Sequence, residues 1–148
     1  MAVGTFTLTH QGKLNWLKGL IDPDTDTLVA VLVDNAHTPS LANDDVYSDI
    51  SVNECGDADY DPQVISGVAI TQTSGTVKLD ANIVSFGDPV TISARYVYVV
   101  RRAGASLVAG DLIFGYMDLN DGGSANVSSI AAVFSVDWNA ANGMVQAT

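Results

Sequence analysis

Positive charge, cysteine and long hydrophobic runs are scarce in this sequence. Six lysines and arginines stand against 17 acidic residues, giving a net charge of −11, and such a field repels phosphates and anionic lipid headgroups. We therefore expect neither nucleic acid nor a membrane as a partner. Cys55 is the only cysteine, which leaves no intrachain disulfide and no cysteine-based zinc site. The longest strongly apolar run covers residues 28–33, whereas a membrane helix needs about 20 residues.

The start of the sequence and its overall composition predict one soluble domain. Residues 1–5 lack a basic region followed by an apolar stretch, so we expect no secretory signal and synthesis in a cytoplasm. A length of 148 residues predicts about one domain over residues 1–148, and the strand pattern described below makes that domain a single β-sandwich. Apolar residues make up 47% of the chain and charged residues 16%, against about 25% charged in an average domain. This balance excludes intrinsic disorder and predicts apolar surface available for burial against another subunit.

Apolar residues in the first part of the chain predict one helix between short strands. Residues 6–9 alternate as a short strand does, and residues 11–20 carry apolar side chains at spacings that suit one helix face. The residues of that predicted face are Leu14, Trp16, Leu17 and Leu20. We expect their packing to hold the helix, because helices below about 12–15 residues are marginal alone. Thr27–Val33 predicts a buried strand, and residues 34–62 predict a polar surface excursion with one short strand at 46–50.

The second half of the chain alternates as β-strands do. Its predicted strands cover residues 64–72, 76–86, 91–101, 112–119 and 127–138. Thr73-Ser74-Gly75 predicts a hairpin between the first two strands, Gly87-Asp88-Pro89 would end that pair, and Asn142-Gly143 predicts a last turn. Residues 91–101 and 127–138 are partly apolar on both sides, so we expect interior strands. The pattern predicts an all-β fold, a β-sandwich or jelly roll with one short N-terminal helix.

The residues that usually carry catalysis form no recognisable arrangement. His10 and His37 are the only histidines, and no spacing pairs either with a nucleophile or an acid. Motifs for a nucleophile elbow, a phosphate-binding loop, a dinucleotide fold or a zinc protease are absent from the sequence. We therefore expect no enzymatic activity, no catalytic residue and no cofactor. Cys55 stands next to Glu54 and near Asp57 instead of near cations, which predicts an inert thiol.

Two aspartate triplets are the strongest candidates for a metal site. Asp22, Asp24 and Asp26 alternate along the chain, a spacing that lets carboxylates converge on one calcium ion. Asp57, Asp59 and Asp61 repeat the pattern. Neither triplet is followed by the glycine and glutamate that an EF-hand requires. We favour an Asx-type turn for the first triplet over a bound cation, and a solvated acidic loop for the second.

Large aromatic and basic residues also have structural explanations. Trp16 and Trp138 suit core or subunit contact better than ligand stacking, because large aromatics usually supply buried area. Arg101 and Arg102 end the most apolar strand. They could pair with acids on a partner surface, but a solvated strand end is the more common arrangement. We therefore assign none of these residues to a binding site.

Several short segments follow one another in a specific order over roughly residues 14–100. They are the helix end at 17–20, Asp24-Thr25-Asp26-Thr27-Leu28, His37-Thr38-Pro39, Tyr47-Ser48-Asp49-Ile50-Ser51, Asn53-Glu54, an acidic loop to Tyr60, and Thr91-Ile92-Ser93-Ala94-Arg95-Tyr96. This succession resembles small virion structural proteins of tailed bacteriophages. The order of the segments is more specific than any one of them. The sequence departs from this family at residues 55–59, where a Ser/Gly-rich turn is usual, and at Phe86, where tryptophan is common.

The resemblance implies a component of the phage particle with no enzymatic role. We expect a capsid decoration, or cement, protein that forms homo-oligomers, binds the major capsid protein outside the head and stabilises the shell. A tail, neck or fibre-associated component is the alternative, which predicts trimeric repeats or a long fibrous extension. An enzyme or small-ligand-binding domain is the alternative of another class. Recovery of the protein with emptied heads would support a decoration protein, and recovery with detached tails would support a tail, neck or fibre-associated component.

Overall fold

The computed structural model describes residues 4–138 and 143–147 and shows an all-β protein with one short helix, as predicted. Its elements are β1 (Thr7–Leu8), α1 (His10–Leu17), β2 (Thr27–Val33), β3 (Gln63–Val64), β4 (Ala69–Thr73), β5 (Thr76–Asp80), β6 (Val84–Ala94), β7 (Tyr96–Arg102), β8 (Leu112–Asp118), β9 (Val127–Val136) and β10 (Val145–Ala147). Two short 3₁₀ helices cover Tyr47–Asp49 and Ser51–Asn53. Residues 1–3 and Asn142 of the predicted last turn lie outside the described residues.

The strands form three antiparallel sheets, and β7 is the central strand of the largest sheet. The largest sheet has five strands in the order β1-β8-β7-β2-β3, and its register pairs Val29 with Val100 and Tyr98 with Tyr116. A three-stranded sheet has the order β10-β5-β4, and a two-stranded sheet joins β6 to β9. The valine-rich segment Thr27–Val33 is buried at every position after its first, because β2 and β7 are covered on both faces.

Two separate hydrophobic clusters cover the two faces of the five-stranded sheet. On the first face, Leu32, Val97 and Phe114 pack with side chains of the two-stranded sheet. On the second face, Val31 and Tyr98 pack under the excursion of residues 34–62, which contributes the fully buried Ile50. The excursion is therefore a structural layer, and each face of the central sheet is buried by a different part of the chain.

The strand predicted at 91–101 is interior only over residues 96–101, because the chain changes sheets within the predicted strand. Its first residues end β6 in the two-stranded sheet, and its later residues form β7 at the centre of the large sheet. The break falls at Arg95, whose backbone N–H donates to Val33 O at 2.9 Å and whose carbonyl accepts from Leu119 N at 2.8 Å. The strand predicted at 127–138 is β9, which pairs only with β6 among the described strands and is an edge.

The strands predicted at 64–72 and 76–86 are each divided. Residues 64–72 contain the end of β3 and most of β4, which belong to different sheets, and β5 ends at Asp80 before β6 begins at Val84. The hairpin itself is confirmed, with Ser74 and Gly75 both at positive φ, as a tight two-residue turn requires. Residues 87–89 do not end a strand, because β6 accommodates them through register shifts against β9.

The short strand predicted at 46–50 is also wrong. Residues Tyr47–Asp49 form a 3₁₀ helix, and Val46 makes only an isolated bridge to Leu112. The reason lies in Asp49, whose carboxylate accepts hydrogen bonds from the backbone N–H groups of Asp45 and Val46, both at 2.9 Å. Aspartate bonds of this kind offer the backbone an alternative to a strand ladder.

The helix forms where it is predicted but presents another face to the core. It begins after Thr9, whose hydroxyl accepts from Gly12 N at 2.9 Å, and its buried residues are Gly12 and Asn15. A Cβ atom on Gly12 would lie 2.1 Å from the carbonyl oxygen of Phe114. Only glycine allows so close an approach of helix and strand backbones. The predicted leucine face is therefore wrong, because the glycine side of the helix lies against the sheet.

The residues of the predicted leucine face lie mostly in solvent. The exposed fractions are 41% for Leu14, 87% for Leu17 and 52% for Leu20. Trp16 alone reaches the core, where its ring packs edge-on against Phe114 with centroids 5.5 Å apart. The helix thus contributes one aromatic contact to the core and leaves three leucines on the surface.

Candidate functional site

The two histidines have different surroundings, and in the described chain neither lies beside a nucleophile as a catalytic histidine would. His10 is exposed at the start of α1. His37 lies in a buried polar cluster, where its Nε2 is 3.0 Å from Asp44 Oδ2 and 3.1 Å from the Tyr98 hydroxyl. Tyr98 also donates to Asp44 at 2.7 Å, and Ser40 N donates to the same carboxylate oxygen at 2.9 Å. The cluster fastens the excursion to the centre of β7.

Electrostatics keep the phenol of this cluster neutral. Burial of Tyr98 raises its pKa above the ordinary value, and the hydrogen bond to the Asp44 carboxylate raises it further. A neutral hydroxyl donates to the carboxylate, whereas a phenolate would face it with like charge. No serine, threonine or cysteine nucleophile is hydrogen-bonded to His37 in the described chain. The arrangement is suited to holding a loop in place.

A second tyrosine–carboxylate cluster holds the other end of the excursion. Glu54 accepts hydrogen bonds from the hydroxyls of Tyr47 and Tyr60, the latter at 2.9 Å. The Tyr60 oxygen in turn accepts from Leu32 N at 3.0 Å. Burial, followed by the charge of Glu54, raises the pKa of Tyr60, and burial together with the Glu54 bond raises that of Tyr47.

A groove of about 360 Å³ adjoins this second cluster. Its walls include Tyr47, Glu54, Arg102 and Leu107. The buried Nε of Arg102 has no hydrogen-bond partner within the described residues. A guanidinium and a carboxylate on one wall could hold a small polar molecule by hydrogen bonds.

The first aspartate triplet folds as a turn. Asp22 Oδ1 accepts from Asp24 N at 3.2 Å, and Asp26 Oδ2 accepts from Asp22 N at 2.8 Å. Asp26 Oδ2 also lies 3.3 Å from Arg101 Nε, so Arg101 pairs within its own chain. Over residues 4–138 and 143–147, no three His, Cys, Asp or Glu side chains are grouped as metal ligands.

The second triplet lies in a largely exposed acidic loop, as predicted, but two of its carboxylates also bind the backbone of β6. The Asp57 carboxylate accepts from Ser93 N at 2.6 Å, and that of Asp59 accepts from Thr91 N at 2.8 Å. These bonds satisfy backbone donors of β6 that no strand pairs on that side. Two of the three carboxylates therefore anchor the acidic loop to the two-stranded sheet, a role that the local spacing could not indicate.

Cys55 and Trp138 have structural roles in the core. The Cys55 thiol is buried and lies 3.3 Å from Asp57 Oδ2. Burial raises its pKa from 9.0 to about 11, which keeps it in the unreactive thiol form. Trp138 is buried, packs edge-on against Phe6 and donates its indole N–H to Asn82 O at 3.0 Å. Both observations agree with an inert thiol and a core tryptophan.

The exposed side of α1 is the most distinctive surface feature. It consists of three leucines and two exposed lysines, and we call it the α1 patch: Lys13, Leu14, Leu17, Lys18 and Leu20. Within the described chain neither lysine has an acidic partner. A cluster of exposed large apolar residues rimmed by polar groups is typical of a protein interaction site.

The excursion is rich in acidic residues, and Asp49 is among those that are exposed. Eight of the 17 acidic residues lie within 34–62, and no lysine or arginine occurs between Lys18 and Lys78. Val52 projects from this segment with 84% of its side chain exposed, close in sequence to the exposed Asp49. Exposed Val108 lies on a neighbouring segment that is joined to the excursion by the bond from Ser48 N to Ala109 O at 3.1 Å.

Ser48, Asp49 and Val52 of the excursion and Val108 of the neighbouring segment are all exposed, and we call this surface the acidic face after Asp49. Total accessible area is 7256 Å², close to the roughly 7,200 Å² expected for a compact monomer of this mass. The exposed apolar residues therefore belong to a compactly folded surface and are not a sign of a loosely packed chain.

Comparison with known proteins adds no relative to these observations. No family model matches the sequence, and neither a curated protein nor a solved structure is similar to it. In the part of the chain that the structure describes, no helix is both long and apolar enough to cross a membrane. The function must therefore be inferred from the fold, the surfaces and the succession of segments described above.

Proposed function

We propose that the chain is a structural protein of a bacteriophage particle, a decoration protein that binds the outside of the head. Its partner in this proposal is the major capsid protein, and its role is to stabilise the shell as a homo-oligomer. The resemblance over roughly residues 14–100 suggests the class of protein. The observation that carries the proposal is the display of large apolar side chains on ordered elements, with Leu17 and Val52 almost fully exposed.

The charge of the chain defines the kind of contact it can make. With a net charge of −11, packaged DNA would repel it, so its affinity must come from apolar and hydrogen-bonded contact with protein. Such contact should survive added salt, because burial of apolar surface is not screened. Phosphate-driven binding, in contrast, would lose roughly 10³–10⁵ in affinity between 50 and 200 mM salt for 6–10 contacts.

The direct test takes particles apart. We expect the protein to remain with emptied heads, and heads lacking it to form but break at a lower temperature, with purified protein restoring their resistance. Binding to bare heads should weaken only modestly between 50 and 200 mM salt. Recovery with detached tails, together with heads that resist heat equally well without the protein, would replace this proposal by the tail, neck or fibre alternative.

The groove beside Glu54 is the observation that favours a small-ligand-binding domain instead. Its unpartnered Arg102 Nε would suit a carboxylate or another small hydrogen-bond acceptor. A panel of small carboxylic acids tests this function through the melting temperature. A rise with one member, lost in Arg102→Gln, would support binding, whereas no rise at millimolar concentration would leave the structural role as the better explanation.

A further inference from the structure

We propose that copies of this chain associate head to tail, with the α1 patch of one copy seated on the acidic face of the next. This contact deepens the proposed function and rests on it, since it describes how the homo-oligomer would form. The occupant of the α1 patch is thus a second copy of the same chain. The inference follows from charge, from apolar exposure and from the position of the two surfaces on the fold.

The distribution of positive charge is the first step. Three of the six basic residues have acidic partners: Lys78 lies 2.8 Å from Asp80, Arg95 lies 2.9 Å from Asp118, and Arg101 lies 3.3 Å from Asp26. Arg102 is half-buried in its groove. The exposed cations that remain are the two lysines of the α1 patch. On a chain with net charge −11, this patch is the place where an acidic surface is attracted.

The apolar parts of the two surfaces are the second step. Leu14 and Leu17 lie three residues apart on α1, so they share one side of the helix. Their counterparts on the acidic face are Val52 and Val108. Contact would bury leucine against valine while the lysines approach the exposed Asp49. Electrostatic complementarity of this kind selects a partner and fixes its orientation.

The position of the surfaces decides the symmetry. α1 lies on the first face of the five-stranded sheet, where Trp16 contacts Phe114. The acidic face covers the second, through Ile50 and Tyr47. A contact between two different surfaces is heterologous, and it closes into a ring or continues as a chain. A two-fold contact between α1 patches would instead bring lysines together with lysines.

Two exposed substitutions test the contact in the full-length chain. Leu17→Glu places an acid in the α1 patch, and Val52→Lys places a base in the acidic face. Sedimentation velocity should show an oligomer for the wild type and a monomer for each variant at the same concentration, with dissociation constants raised at least about tenfold. Both positions are exposed, so the melting temperatures should equal that of the wild type at concentrations where the wild type is dissociated. Thr71→Glu, on the exposed strand β4, is the matched control and should leave the oligomer intact.

Mixing the variants distinguishes the symmetry. The Leu17→Glu variant retains its acidic face and the Val52→Lys variant retains its α1 patch, so an equimolar mixture should form a heterodimer that grows no further. Continued assembly of Val52→Lys alone would indicate a two-fold contact and overturn the proposal. A wild type that stays monomeric at all concentrations would overturn it too. If that monomer still binds heads, the decoration role stands without this contact. If the oligomer forms but does not bind heads, the contact stands and the decoration role fails.

Discussion

Replacing Gly12 by alanine tests how the helix sits on the five-stranded sheet. In an exposed helix this change stabilises by about 1 kcal/mol, because alanine has the higher helix propensity. Here the added Cβ would lie 2.1 Å from the carbonyl oxygen and 2.9 Å from the carbonyl carbon of Phe114. Those atoms belong to the backbone of a central strand and cannot move as a flexible side chain would. The helix must therefore shift away from β8.

The cost of that shift can be estimated from the contacts involved. Overpacking of a close contact costs about 1–3 kcal/mol. The new atom would also lie 2.9 Å from the Thr9 hydroxyl oxygen, which disturbs an N-cap worth about 1 kcal/mol. Subtracting the helix propensity gained, we expect Gly12→Ala to lower the free energy of unfolding by about 1–3 kcal/mol. The melting temperature should fall by about 2–4 °C for each kcal/mol.

Urea denaturation followed by tryptophan fluorescence measures this change. Gly104→Ala is the matched control, because no heavy atom lies within 4 Å of its added Cβ and its φ is not in the left-handed region. The control should change stability by no more than about 0.5 kcal/mol. A Gly12→Ala protein as stable as the wild type, or more stable, would refute the close helix–strand contact.

The remaining predictions concern the helix aromatic, the aspartate turn and the tyrosines. In urea denaturation, Trp16→Ala should lower the free energy of unfolding by about 2–3 kcal/mol. This is less than the roughly 3–5 kcal/mol of a fully buried aromatic, because the ring is only half-buried. A loss near zero would contradict its contact with the core. Chelation of divalent cations should leave the melting temperature unchanged, and a fall of several degrees would reveal a cation site. Asp26→Asn should lower the free energy of unfolding by about 1 kcal/mol. Tyr60 and Tyr98 have pKa values raised above the ordinary 10.0, so the unfolded chain releases their protons first and the free energy of unfolding should fall as pH rises past about 10. Unfolding measured from pH 8 to pH 11 that shows no such fall would contradict their burial.

Local patterns in the sequence were sufficient for elements whose neighbours are close along the chain. The hairpin at Thr73-Ser74-Gly75 and the helix near its predicted place depend on turn residues and on spacing within a few positions. The alternation of residues 91–101 is unbroken, so nothing local reveals the change of sheet at Arg95. That break depends on pairing of the Arg95 backbone with Val33 and Leu119, which lie in distant parts of the chain.

Which residues lie on the surface also depends on contacts that the sequence does not reveal. A leucine spacing of three predicts a buried helix face, and only Gly12 in the first turn of the helix gives a sequence signal for the opposite orientation. The His37–Asp44–Tyr98 cluster joins an excursion to a central strand, so no spacing along the chain could indicate it. The charge asymmetry between the α1 patch and residues 34–62 can be read from the sequence, but its meaning depends on which residues are exposed.

The pairing of β1 with β8 has a consequence for how the protein is made. Thr7 pairs with Tyr116 and Thr27 with Arg102, so β1 and β2 leave the ribosome well before the strands with which they pair. The large sheet cannot close until residue 118 has emerged. Until then β2 exposes valines and leucines that the finished protein buries, a period in which nascent chains are prone to aggregate. Sheets dominated by such distant pairings also fold slowly, on the scale of milliseconds to seconds. Order of synthesis and order of assembly therefore differ in this molecule.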